Sequence, residues 1–145
     1  MSILMRLLVL PCVLLGLAGC DPVWHVTNVA TAQPATKADA ACIEAGVRAA
    51  GYDVQPSTSV AAPVVGWRVS DKARGRVHVM WDPKTPQSLT LDIGGVGTAP
   101  PPDLVPAFRQ MRDAIVAKVT ETCGPFDVGA ESCARVADCK VAATH

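Results

Sequence analysis

Val65-Gly66-Trp67-Arg68-Val69-Ser70, Arg76-Val77-His78-Val79-Met80-Trp81 and Ser88-Leu89-Thr90-Leu91-Asp92-Ile93 are the stretches whose reading decides the fold. In each, large apolar residues return at every second position: Val65, Trp67 and Val69, then Val77, Val79 and Trp81, then Leu89, Leu91 and Ile93. A period of two marks a strand with one buried and one solvated face. The intervening segments, Asp71-Lys72-Ala73-Arg74-Gly75 and Asp82-Pro83-Lys84-Thr85-Pro86, are polar and rich in turn formers. The expectation is an antiparallel meander. Its outward side would present Arg68, Arg76, His78, Met80, Thr90 and Asp92 together.

Helical periods flank the meander. From Thr36 to Ala50, Ile43, Val47 and Ala50 recur at i, i+4 and i+7, while Glu44 and Arg48 can pair on the opposite side. Thr36 is the expected N-cap, with Asp39 at N3 and Gly51 as the C′ residue. From Asp103 to Cys123 the stripe is Leu104, Phe108, Met111, Ile115, Val119 and Thr122. Pro106 is tolerated there, because first-turn amides lack intrahelical partners. Gly124-Pro125 stops the helix.

Tyr52 to Gln55 offers one short further strand, and the loop from Pro56 to Pro63 follows it. Gly94 to Pro102 reads as an irregular connection. The predicted class is α+β, in the order helix, short strand or none, three strands, helix. An antiparallel sheet of three to four strands would carry both helices on one face, burying the two apolar stripes. Residues 36–125 would form this domain, with 126–145 as a C-terminal tail, loose or held by disulfides.

The amino terminus has a different grammar. Arg6 precedes an apolar run, Leu7 to Leu17, broken only by Pro11 and Gly16. That is the pattern of a secretory signal, and it is shorter than the roughly 20 apolar residues of a spanning helix. It ends in Leu17-Ala18-Gly19-Cys20, which resembles the lipobox of bacterial lipoproteins. The resemblance covers only the signal segment. It implies a signal peptide over 1–19, a diacylglycerol thioether on Cys20, and acylation of the new amino terminus, with two or three chains giving a stable anchor. It further implies the bacterial cell envelope, facing the periplasm, with Asp21 favouring the inner membrane. Residues 20–35, with Pro22, Pro34, Thr27, Asn28 and Gln33, would then be the lipidated cysteine and a tether. Trp24 would sit at the membrane interface, or else Val23 to Thr27 would be a short edge strand.

Cysteine use follows from that reading. Cys12 leaves with the signal and Cys20 carries lipid, so Cys42, Cys123, Cys133 and Cys139 remain. An even set in an exported chain reads as disulfides, with three pairings open. No Cys-x-x-Cys pair supports zinc or thioredoxin-like chemistry. If the helices lie side by side, Cys42 pairs with Cys123 and Cys133 with Cys139. The first bridge would close about 82 residues for roughly 4–5 kcal/mol, against about 2.4 kcal/mol for the second.

Composition removes several functions. The 145 residues carry 13 basic and 13 acidic side chains, a formal net charge of zero, so the clustered positive excess of a nucleic-acid binder is missing. Gly94-Gly95-Val96-Gly97 lacks the lysine and hydroxyl of a phosphate loop. His78 and Met80 share a strand face in a way that soft copper can use, but no further ligand stands near them. No catalytic set is legible: His25 falls on the tether, His145 ends the chain, and only His78 and Asp92 can face each other across strands. No metal and no cofactor is expected. The best functional candidate is the outward sheet face as a platform for an envelope protein, a glycan or a second copy. The alternatives are a self-associating structural lipoprotein and an enzyme accessory using His78 and Asp92.

Overall fold

The computed structural model describes residues 21–72 and 75–139. The expected signal peptide and Cys20 lie outside them, as do Arg74 in the first hairpin and His145. The chain runs β1 (Val23–Ala32), α1 (Ala40–Ala49), β2 (Asp53–Pro56), β3 (Val65–Asp71), β4 (Gly75–Trp81), β5 (Ser88–Val96), α2 (Leu104–Cys123) and β6 (Phe126–Ala134). The strands form one antiparallel sheet in the order β2-β3-β4-β5-β1-β6. Both helices cover one face, so the architecture is α+β.

The meander forms where the period of two places it. Trp67, Val69, Val77, Val79, Trp81, Leu89, Leu91 and Ile93 are all buried in the core with Ile43 and Val47 of α1 and Phe108, Met111, Ile115 and Val119 of α2. Trp81 keeps its indole satisfied by donating from Nε1 to the Pro86 carbonyl at 3.0 Å.

The sheet is wider than the expected three to four strands, and this corrects the limits drawn at 36–125. Residues 23–32 are not a tether but an inner strand, paired with β5 on one side and β6 on the other. The burial alternates along it, with Trp24, Val26, Asn28 and Ala30 facing the core. Trp24, 4% exposed, is a core residue rather than a membrane-interface one. The strand is hard to recognise because Asn28 occupies an inward position that apolar residues usually hold. Residues 126–134, expected as tail, are the edge strand β6. Gly94 and Gly95 belong to β5 and pair with His25 and Trp24. At Gly95 a Cβ would stand 2.8 Å from the Trp24 ring, so the glycine makes room for the indole.

The first helix starts later than Thr36. Asp39 is its N-cap, accepting from the Cys42 amide at 2.8 Å, and Thr36 instead donates its hydroxyl to the Pro125 carbonyl at 2.8 Å. Gly51 takes φ +86° just past the helix end, a conformation that favours glycine. In α2, Thr122 is exposed, so the buried stripe ends at Val119.

The helices meet without a spacer. A Cβ on Gly46 would lie 2.6 Å from the Val119 Cα, so the two backbones touch there. One turn away Cys42 is bonded to Cys123, with Cα atoms 5.5 Å apart. Because Cys42 and Gly46 face Cys123 and Val119 in reversed order, the helices run antiparallel. The second disulfide, Cys133–Cys139, folds the chain after β6 back on itself.

Candidate functional site

The sheet face away from the helices is the open one. Strand register carries a polar row across it: Gln55, Arg68, His78, Asp92, Thr27 and Ser132 are laterally paired from β2 to β6. Met80 pairs with Thr90 one step along, and Arg76 with Ser70 on the other side. Arg68, Arg76, His78, Met80, Thr90 and Asp92 therefore share one face. Part of it, at Gly66, is roofed by the loop after β2: a Cβ there would be 3.0 Å from Val60.

His78 and Asp92 stand directly opposite each other on β4 and β5. His25, which sequence reading placed on a tether, joins them from β1, where it pairs with Gly94. Burial pushes the Asp92 carboxyl above its ordinary value, and the His78 and His25 imidazoles pull it partly back. No hydrogen bond joins these three side chains among the described residues, so they interact through charge alone. Among the described residues no side-chain hydrogen bond engages them.

Beside them a polar concavity of about 420 Å³ opens at the β3–β4 hairpin, lined by Ser70, Asp71, Lys72, Arg76, His78 and Gly94 among others. Gly94 lies directly opposite His25, where a Cβ would stand 3.5 Å from the His25 Cβ. The Arg68 Nε atom is buried with no hydrogen-bond partner, an unusual state for a guanidinium nitrogen. The arrangement can accept hydrogen bonds at Asp92 and donate from Arg76, Lys72 and the imidazoles.

A second polar cluster lies under α2, on the helix-covered side, and sequence reading missed it. Arg109 makes a two-pronged contact with Glu131, Nε to Oε1 at 2.7 Å and Nη2 to Oε2 at 2.8 Å. Its Nη1 reaches Asp138 at 2.9 Å. Arg112 bridges Glu131 at 3.1 Å and the Asn28 side-chain oxygen at 2.6 Å, while Asn28 donates to the Gly129 carbonyl at 2.8 Å. Glu131 is 2% exposed and the arginines 12% and 11%. The bidentate Glu131 contact, with Asp138 behind it, raises the Arg109 pKa still higher. The one available signal was Asn28, a polar residue in phase with Trp24, Val26 and Ala30.

This cluster is architecture. Glu131, Cys133 and Cys139 come close enough to share a metal ion. The two sulfurs are bonded to each other, however, and both Glu131 oxygens already accept from arginine. That donor set is spent.

Comparison with protein-family models, curated proteins and solved structures finds no match for the chain. Function therefore rests on the residues themselves.

Proposed function

We infer that the protein is a lipid-anchored envelope lipoprotein whose open sheet face binds a polar partner. The observation that carries this is the contrast between the faces. The helix side closes even its charges into a satisfied network, whereas the open side leaves His25, His78, Asp92, Arg68 and Arg76 in register without such closure. Mixed donors and acceptors on a flat platform suit the polar surface of an envelope protein or a glycan. The lipobox-like Leu17-Ala18-Gly19-Cys20 supplies the anchor through Cys20, at the inner membrane if Asp21 acts as a retention signal.

Two measurements on cells expressing the full chain test the reading. A palmitate analogue should label the protein and fail to label Cys20→Ser; equal labelling of both removes the anchor. Cross-linked partners recovered from membranes should be depleted by Arg76→Glu while labelling persists. An unchanged partner set removes the face from consideration.

A further inference from the structure

We propose that the sheet end bearing Val23 and Val96 is a membrane-seating surface that plants the domain directly on the lipid bilayer. The proposal rests on lipidation of Cys20. The strand β1 leaves no tether: only Asp21 and Pro22 separate Cys20 from Val23. A chain extends at most about 3.6 Å per residue, so the Cys20 Cα lies within about 11 Å of the Val23 Cα. Pro22 is itself tied down, its carbonyl accepting from the Gly97 amide at 2.6 Å. An acyl chain on Cys20 therefore brings this end of the sheet to the interface.

The surface that arrives there is suited to it. Val23 and Val96 are 57% and 69% exposed, the two highest values among the exposed large apolar residues, and they are paired across β1 and β5. The following segment, Gly97 to Pro102, carries no charge and leads away from the same end. Register brings the β3–β4 hairpin alongside, with Lys72 and Arg76, and the end of β6 with Arg135. Asp21, Asp53, Asp71 and Asp103 stand at this end too, so the local charge is mixed. Seating is apolar, assisted by the covalent lipid, and insensitive to salt.

The consequence is an orientation. With this end down, the strands rise from the bilayer and the open polar face stands upright. At about 3.4 Å per residue, the nine residues of β5 reach about 30 Å. The concavity lined by Lys72, Arg76 and His78 opens at the membrane end. Partners are then limited to molecules within about that height of the lipid.

The test uses the full chain, purified with its lipid and reconstituted into phosphatidylethanolamine–phosphatidylglycerol vesicles. An environment-sensitive fluorescent amino acid replaces Val96 in one preparation and Thr31, at the opposite end of β1, in another. Intact mass first establishes the acyl groups on Cys20. Expected are a blue shift and quenching by brominated lipid at position 96, unchanged in high salt, with neither at position 31. A Val23→Glu substitution in the Val96 probe chain should abolish the quenching while the acyl mass is kept. Acylated protein whose position 96 probe reports water overturns the seating alone. A chain with no acyl mass overturns both the anchor and the seating.

Discussion

Asp92 sits where its charge is disfavoured, and that has a measurable consequence. Burial raises its folded-state pKa above the ordinary 3.8, so the native protein keeps a proton that the unfolded chain releases. Through that range stability falls as pH rises, because the folded state binds more protons than the unfolded one. His78 and His25 offset part of the penalty, and Thr27 on the facing strand makes no hydrogen bond to it among the described residues. Asp92→Asn should therefore melt at a higher temperature than the wild type at pH 7. The gain should shrink as pH drops and vanish below about pH 3.8. A difference independent of pH would show that burial of the carboxylate is not its source.

At the scale of elements, the two helices act as one layer because Gly46 lets them touch. Val119 backbone atoms lie where a Cβ on residue 46 would go, with its Cα at 2.6 Å, and neither backbone can swing away while Cys42 is bonded to Cys123. Gly46→Ala should cost about 1–3 kcal/mol, the range for overpacked cores, despite the better helix propensity of alanine. Denaturant melts of oxidised protein measure it. A stabilised Gly46→Ala would mean that the helices separate freely. The disulfide itself closes a long loop, 81 residues apart in sequence, and on loop entropy is worth about 4–5 kcal/mol.

At the scale of the molecule, β6 completes the sheet and neutralises the charges under α2. A chain ending at Gly124 would lose Phe126 from the core and leave Arg109 and Arg112 without Glu131. Removing one partner of a buried pair costs about 3–5 kcal/mol; Arg109 would lose both Glu131 and Asp138, while Arg112 would keep only Asp113 and Asn28. Relative to a typical stability of 5–15 kcal/mol that is decisive. The truncated chain should give no cooperative thermal transition, whereas the full chain should melt cooperatively. A folded 124-residue chain would show that β6 is dispensable.

Local pattern alone determined the α+β class, the meander, the two helical stripes, the Gly51 stop and the disulfide character of the domain. These depend on periods of two and 3.6 that a residue shares with its sequence neighbours, and on chemistry carried by single cysteines. The same alternation placed Arg68, His78 and Asp92 on one face. Only the tertiary structure decided the remaining strands. Residues 23–32 place Asn28 on the core side, which reads as polar loop until Arg112 and the Gly129 carbonyl, 84 and 101 positions away, supply its partners. Residues 126–134 are held by Glu131 rather than by an apolar stripe. His25 joins Asp92 solely because β1 inserts between β5 and β6. Long-range pairing satisfies polar groups that local pattern counts as exposed, and such pairing leaves no periodic trace in the chain.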